Sequence, residues 1–424
     1  MKSFALLLLA ALAAAAEVKT LTLREAIDLA LKQNPDVILA RLDQQKARYQ
    51  VTIARDPFVP KVFAGSGAAY TYGYPNSIDG NAPAIVQVKT IMSLYNRPQS
   101  FQVAQANEAL RATEIEVGRR QDEVVYRVAE LFLQAELAAR SLGNARRQVD
   151  SLARVKELVD TRVGDGRELA IESTKAKVAS ASAQQRVDTL ALDLLNAETM
   201  LALVLGMSPE DRVKAAAEER SPLASNLSEG QAIEAALENS REIKRLESDL
   251  QVKTLEVKHY LAMRYPKIDL VAQYSLFSKY QFQDYFQKFQ RNNAQIGASF
   301  EIPILVGRGP RAYVSQAETD QLKIRAEMNR TRSRIAADLR RAFMEMKKLE
   351  GARELARLEL DLAREQLTLD LAQMDEGRVP LAKVESSRAA ENAKWLAYYE
   401  AQSLAERARL DVLRQTGTLQ AALK

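Results

Sequence analysis

The stretch Gln295-Ile296-Gly297-Ala298-Ser299-Phe300-Glu301-Ile302-Pro303-Ile304 alternates without a slip: Ile296, Ala298, Phe300, Ile302 and Ile304 share one face, and Gln295, Gly297, Ser299 and Glu301 the other. A period of two is the side-chain repeat of a β-strand with one apolar face. A second stretch behaves alike, Ile268, Leu270, Ala272, Tyr274 and Leu276 opposing Asp269, Gln273 and Ser275, with Val271 and Phe277 as exceptions. Earlier in the chain Val86, Val88, Met92 and Leu94 oppose Gln87, Lys89 and Ser93, and Tyr70, Tyr72 and Tyr74 share a face. These patterns predict four strands, at about 61–74, 84–95, 267–280 and 293–304, forming two hairpins with loops near 75–83 and 281–293.

Around the strands the chain repeats itself. Leu21-Thr22-Leu23-Arg24-Glu25-Ala26-Ile27-Asp28-Leu29-Ala30-Leu31 aligns with Leu227-Ser228-Glu229-Gly230-Gln231-Ala232-Ile233-Glu234-Ala235-Ala236-Leu237, and at the same offset of 206 Pro60-Lys61-Val62 meets Pro266-Lys267-Ile268. Arg97 meets Arg308 and Ala106 meets Ala317 at 211. Gly164, Ile171, Glu172, Ser173 and Ala176 meet Gly377, Val384, Glu385, Ser386 and Ala389 at 213, and Leu205-Gly206 meets Thr416-Gly417. One match arises readily in an Ala- and Leu-rich chain, but an ordered series points to duplication. The expected division is a signal peptide, 1–16, followed by repeats 17–215 and 216–424.

Each repeat reads as helix, hairpin, long helix and return helix. The first helix is predicted over about 22–55 and 228–263, with Thr22 as N-cap and Glu25 three residues on. Pro60 and Pro266 close those runs and mark helix-to-strand junctions. No proline falls between Gln99 and Val163 or between Arg311 and Glu376, so each run can hold a helix of roughly 60 residues, about 90 Å long. Each ends near a glycine, Gly164 or Gly377, and return helices follow over about 168–205 and 382–416. Such helices are stable only when they pack laterally as long antiparallel neighbours.

Composition narrows the function. The 424 residues are 47% apolar and 27% charged, with no Cys and one His, which removes Cys/His zinc sites, disulfide scaffolds, thiol catalysis and His-dependent triads within one chain. The net charge of +5 comes from 60 basic and 55 acidic residues spread evenly, with no basic-aromatic patch for nucleic acid. His259 is expected to be a surface side chain, and the adjacent acids Asp375-Glu376 lack a surrounding pocket pattern, so neither an enzyme nor a cofactor or metal is expected. Lys2, the apolar run Phe4 to Ala13 and Ala14-Ala15-Ala16 read as a secretory signal cut after Ala16. That run is shorter than the roughly 20 residues that span a bilayer core.

A two-hairpin sheet with one apolar face fits either a soluble sheet on a core or tilted membrane strands. No further apolar segment is available to cover the face. In lipid an open sheet leaves edge N–H and C=O groups unpaired at several kcal/mol each. The smallest bacterial barrels have about eight strands, so four per chain demand two or more copies, and a conducting lumen suggests three copies and twelve strands.

The signal, the repeated Leu-Thr-Leu-x-x-Ala-Ile opening, the Pro-Lys-Val and Pro-Lys-Ile strand entries, the segment Phe300 to Gly309 and the long helices resemble the TolC-like outer-membrane efflux family over residues 17–424. The resemblance implies a mainly α fold with a membrane β-barrel: a homotrimer whose twelve-stranded barrel in outer-membrane lipid continues as a periplasmic α-helical barrel. It implies an exit duct of a tripartite pump or type I secretion system, conducting passively, docked on a periplasmic adaptor and through it on an inner-membrane transporter. Gln87, Lys89, Ser93, Asp269, Gln273, Ser275, Gln295, Ser299 and Glu301 would face the lumen. Val86, Val88, Met92, Leu94, Ile268, Leu270, Ile296 and Ile302 would face lipid, with the tyrosines at 70, 72 and 74 partly an interfacial belt.

Gating is expected where the helical hairpins turn, at about 160–173 and 373–386. Candidates there are Arg162, Gly164, Asp165, Glu172, Gly377, Lys383, Glu385 and Ser386. Family members often carry paired aspartates just beyond the second turn; here the matching positions read Lys383 and Ser386. A ring of Lys383 would make the constriction electropositive, with Glu172 and Glu385 pairing with neighbouring Arg or Lys. Two other classes compete. A periplasmic adaptor would show one helical hairpin with Gly-rich lipoyl segments, and a coiled-coil scaffold would show unbroken heptads.

Overall fold

The computed structural model describes residues 18–67, 84–166, 168–208, 210–216, 228–277, 290–376 and 378–423. The signal segment, the three tyrosines of the first hairpin and Gly377 lie outside them. In order come β1 (Val18–Leu21), α1 (Leu23–Gln33), α2 (Pro35–Arg55), β2 (Lys61–Gly65), β3 (Ala84–Asn96), α3 (Arg97–Gly164) and α4 (Ala170–Val204). Then follow β4 (Arg212–Ala215), α5 (Glu229–Asn239), α6 (Arg241–Ala262), β5 (Lys267–Phe277), β6 (Asn292–Glu301), α7 (Gly309–Asp375), α8 (Leu381–Gln415) and a short α9 (Leu419–Leu423). The order β-α-α-β-β-α-α occurs twice, β4 holding in the second pass the place of β1 in the first. Among the described residues no helix is long and apolar enough to cross a membrane.

The two passes are built by the same local chemistry. Thr22 accepts a hydrogen bond from the Glu25 amide while Glu25 accepts one from the Thr22 amide at 2.9 Å, and Ser228 and Gln231 make the same reciprocal cap on α5. The expected single helices over 22–55 and 228–263 are each two helices, broken at Asn34 and Ser240. Pro35 pushes Asn34 out of the α region. The Asn34 side chain then caps α2, accepting from the amides of Asp36 (2.8 Å) and Val37 (3.3 Å) while its Nδ2 donates to the Val204 carbonyl (2.7 Å). Ser240 makes the matching break without a proline. Each return helix closes with a left-handed glycine against the end of its repeat's first helix. A Cβ on Gly206 (φ +80°) would sit 2.5 Å from the Gln33 carbonyl oxygen, and one on Gly417 (φ +71°) 3.0 Å from Asn239 Cβ.

Contacts divide the chain into two compact units. The helical unit takes Gly118–Ser240, Arg332–Lys424 and the stretch up to Leu39. Its core joins Ala26 and Ile27 of α1, Val125, Val128 and Phe132 of α3, Leu201 of α4, Val213 of β4 and Leu410 of α8. A second cluster joins Ala232 and Ala236 of α5, Leu339 and Phe343 of α7 and Val412 of α8. The helices run in the row α4–α3–α8–α7. Ser173 of α4 bonds Asp160 of α3, Asn144 of α3 donates to the Asn392 carbonyl of α8 (3.3 Å) and Arg407 of α8 pairs with Glu130 of α3, and Arg409 and Lys394 of α8 pair with Glu350 and Glu359 of α7 (2.7 and 2.6 Å). β1 and β4 add a parallel pair that periodicity did not signal.

The second unit, Ala40–Val117 and Arg241–Thr331, holds the four-stranded sheet in the order β2-β3-β5-β6, all neighbours antiparallel. β2 and β5 begin directly after Pro60 and Pro266. β6 ends at Glu301, short of the expected 304, because Pro303 has no N–H to continue the ladder; β2 ends at Gly65, so that Ser66 and Gly67, expected within the strand, lie outside it, and β5 is described to Phe277. Its helices form the row α2–α3–α6–α7, tied by Gln44–Glu114 (3.2 Å), Ser248 to the Glu108 carbonyl (3.0 Å) and Lys253–Asp320 (3.1 Å). His259 is not a surface group: it is buried in α6 with Nδ1 2.9 Å from the Pro98 carbonyl oxygen, a first-turn carbonyl of α3.

Gly206→Ala combines backbone strain with a clash against Gln33 and should lower unfolding stability by about 1–3 kcal/mol. Gly143→Ala, exposed in mid-helix with nothing near its Cβ, should raise it by roughly 0.5–1 kcal/mol. Unfolding followed by circular dichroism in detergent separates the two; equal effects would deny Gly206 its role.

Candidate conduction face and hairpin turns

Strand register sorts the side chains. Gln87, Lys89 and Ser93 of β3 stand opposite Ser275, Gln273 and Asp269 of β5, which stand opposite Asn293, Gln295 and Ser299 of β6; Lys267 faces Glu301. Every polar strand residue named from the alternation therefore lies on one face. Ser93 donates to Asp269 (2.7 Å), Lys267 pairs with Asp269 (2.8 Å), and Gln273 donates to Ser275 (3.0 Å). Phe63 and the cross-strand pair Ile91–Val271 interrupt this face. The opposite face carries Val62, Val86, Val88, Met92, Leu270, Ile268, Tyr274, Ile296 and Phe300. It is uncovered: Ile296 is 81% exposed, and Val62, Val86, Tyr274 and Phe300 are exposed with it. Leu94, expected among the apolar set, falls in a register shift between Ser93 and Tyr95, so Tyr95 takes the place opposite Ile268.

At the first turn Gly164 is the last residue of α3, and it is Gly166 that adopts the left-handed conformation (φ +71°). The long helix therefore ends at the expected glycine, and the left-handed residue follows two positions on. Asp165 is exposed, and its amide continues the last turn by bonding the Thr161 carbonyl. Arg162 reaches across the turn to Glu168 (3.3 Å), and Glu172 pairs with Lys175 (2.7 Å). At the second turn Glu385 pairs with Arg388 (3.2 Å), Glu376 with Arg378 (3.0 Å), and Lys383 is exposed.

Two clasps hold the hairpins just above the turns. Ser173 donates to Asp160 and Ser387 donates to Asp370, both at 2.5 Å. The ungapped alignment placed Ser386 opposite Ser173, but Ser386 bonds the Lys383 carbonyl of its own helix (2.7 Å). The clasp falls to Ser387 because Asp and Ser are 17 residues apart in the second hairpin and 13 in the first. A serine within the first two turns of a return helix and an aspartate four or five residues before the long helix ends were the available signal. Each serine holds its aspartate's pKa below the ordinary range, helped by Lys156 at Asp160 and by Gln366 and Lys383 at Asp370. Burial pushes Glu385 the other way, opposed by Arg388 and Arg154. Glu385, Arg388 and Arg154 line a groove of about 780 Å³ between α3 and α8 together with Arg147 and Trp395.

A sheet polar on one side, apolar and uncovered on the other, joined to long antiparallel helices in rows, is the subunit pattern of a channel wall in an outer membrane. The profile of the outer membrane efflux protein family matches residues 26–207 and 232–421, and the chain belongs to that family. Its place is the outer membrane, and it is an outer-membrane component of efflux pumps, a channel-forming class and not an enzyme class. A membrane protein from Pseudomonas aeruginosa superposes with a TM-score of 0.74 at 19% identity, covering 93% of this chain and 90% of that one. The CmeC outer membrane channel of Campylobacter jejuni gives 0.74 at 15%, covering 94% and 86%, and the outer membrane protein VceC of Vibrio cholerae 0.71 at 16%, covering 95% of each. These likenesses establish the shared TolC-like fold. A search of curated protein sequences finds no significant match.

An acid whose pKa is depressed on folding adds stability above its unfolded value near 4 and loses it as pH falls through the folded value. Asp160 and Asp370 should therefore loosen the turns in acid, while Glu385, raised by burial, works in the opposite sense. Spin labels at Thr368→Cys and Ala390→Cys, free of native thiols, should report a broader distance distribution below about pH 4. Ser387→Ala should broaden it already at pH 7 and flatten the pH response; a Ser387→Ala distribution identical to the parent's at pH 7 would contradict the clasp.

Proposed function

We propose that three copies of the chain close into a twelve-stranded barrel in outer-membrane lipid, continued by a helical barrel through the periplasm, and that the duct conducts passively. The observation that carries this reading is that every row is open. Among the described residues the sheet ends in β2 and β6, each with one unpaired edge. The helix rows end in α2, α4 and α7, which expose Leu42 and Ile53, Val178 and Leu192, and Leu322, Leu355 and Leu362. Exposed apolar residues on both end elements of a row are what a ring of identical subunits buries. A scaffold or an adaptor gives no reason for a sheet with an uncovered apolar face.

In this assembly Gln87, Lys89, Asp269, Gln273, Gln295 and Glu301 line the barrel lumen, and Val86, Ile296 and Phe300 meet lipid. The turns form the periplasmic end, where Arg162, Asp165, Glu172, Lys383, Glu385 and Ser386 border the constriction and a periplasmic adaptor docks, linking the duct to an inner-membrane transporter that supplies the energy. An exposed Lys383 in three copies makes that end electropositive, where the family pattern has acids.

Light scattering of the mature chain in detergent should give about three times the protomer mass; a detergent-free monomer would end the channel reading. In planar bilayers Lys383→Glu should shift the permeability ratio toward cations by a factor of about two or more. Unchanged selectivity would remove Lys383 from the constriction.

A further inference from the structure

The two repeats leave the sheet differently. β3 passes into α3 without a spacer, Asn96 to Arg97, whereas residues 302–308, Ile-Pro-Ile-Leu-Val-Gly-Arg, separate β6 from α7. This spacer is the most exposed apolar stretch among the described residues: Ile304 is 95% and Leu305 92% exposed, and Ile302 is exposed with them. Ile302 and Ile304 lie just past the end of β6 at Glu301, next in the chain after Phe300 of the uncovered apolar face. Cations follow at once. Arg308 and Arg311 are both exposed, and no acid occurs between Glu301 and Glu318. One turn into α7, half-exposed Tyr313 stacks on Tyr260 of α6 at 5.0 Å.

We propose that residues 302–306 dip into the membrane leaflet at the helical end of the barrel, while Arg308 and Arg311 hold phosphates of phospholipid headgroups. The inference rests on the barrel reading above and adds a lipid-binding anchor to it. Apolar residues flanked by arginines and a tyrosine suit the headgroup boundary, where aliphatic groups enter the acyl region and guanidiniums remain with the phosphates. A second copy is the weaker occupant. A neighbour pairs with β6 through its backbone, and Pro303 and Gly307 (φ +65°) take the spacer out of strand geometry.

The test uses full-length chain with Trp395→Phe, which removes the single native tryptophan, carrying either Leu305→Trp or Ile296→Trp in liposomes of phosphatidylcholine with phosphatidylglycerol. Leu305→Trp should be quenched more strongly by bromines near the headgroup end of the acyl chain than by deep ones, and should be shielded from aqueous acrylamide. Ile296→Trp should be quenched by brominated lipid as well. Quenching of Leu305→Trp by acrylamide alone places the spacer in water, and silence toward both quenchers places it against another copy; either overturns the proposal while Ile296→Trp upholds the barrel. If Ile296→Trp is also untouched by bromines, the barrel reading fails and the anchor with it. Arg308→Gln with Arg311→Gln should abolish a preference for phosphatidylglycerol vesicles over pure phosphatidylcholine; an undiminished preference overturns the headgroup assignment.

Discussion

The structure depends on one constraint, the pairing of backbone N–H and C=O groups along the edges of a four-stranded sheet. β2 and β6 satisfy one side of their ladders within the chain. Water can serve the free side only where water is present, and the apolar residues beside it, Val62, Ile296 and Phe300, are exposed and meet hydrocarbon in the barrel proposed above. There each unpaired group costs several kcal/mol, which no side-chain arrangement at an edge can offset. A sheet in lipid must therefore have no edge, and a chain with four strands meets that condition only in company. In the barrel proposed above, oligomerisation is in this sense a requirement of the backbone, with side chains selecting which face turns inward.

The helices carry the same logic by different means. Their hydrogen bonds are satisfied internally, so what leaves a row of helices open is apolar surface, not polar backbone. α3 and α8 lie inside the row of the helical unit and contribute Val125, Phe132 and Leu410 to its core; α4 and α7 at the ends keep Leu192 and Leu362 exposed. Van der Waals and hydrophobic terms tolerate small shifts that a strand ladder does not. The serine–aspartate clasps add directional hydrogen bonds to that looser packing close to the turns.

Sequence periodicity disclosed the strands, their faces and the long helices because each rests on a local rule: alternation, absence of proline, or a capping box. What escaped it was set by distant neighbours. The break at Ser240 has no proline to announce it and lies where Gly417 packs beside Asn239. The pairing of β1 with β4 joins segments of only four residues, too short to show a period. Ser387 was hidden by a hairpin four residues longer between clasp partners than its counterpart, a difference that an ungapped alignment hides. His259 looked like a surface residue since a lone histidine on a charged helix gives no hint that the start of α3 lies over it.

The charges on the polar face of the sheet bear on how such a wall treats what passes it. Lys61 pairs with Asp56, Lys267 pairs with Asp269 and stands opposite Glu301, and Ser93 supports Asp269 from the next strand. Paired charges present weak, short-ranged fields, screened within about 10 Å at ordinary ionic strength. Lys89 is the exception, in a row with Phe63, Gln273 and Gln295 and without an acidic partner among the described residues. In the passive duct proposed above, a face built mostly of amides, hydroxyls and neutralised pairs suits conduction, since a strong binding site along the way would slow every passage. In that proposal discrimination falls to the turns, where charged groups come close together.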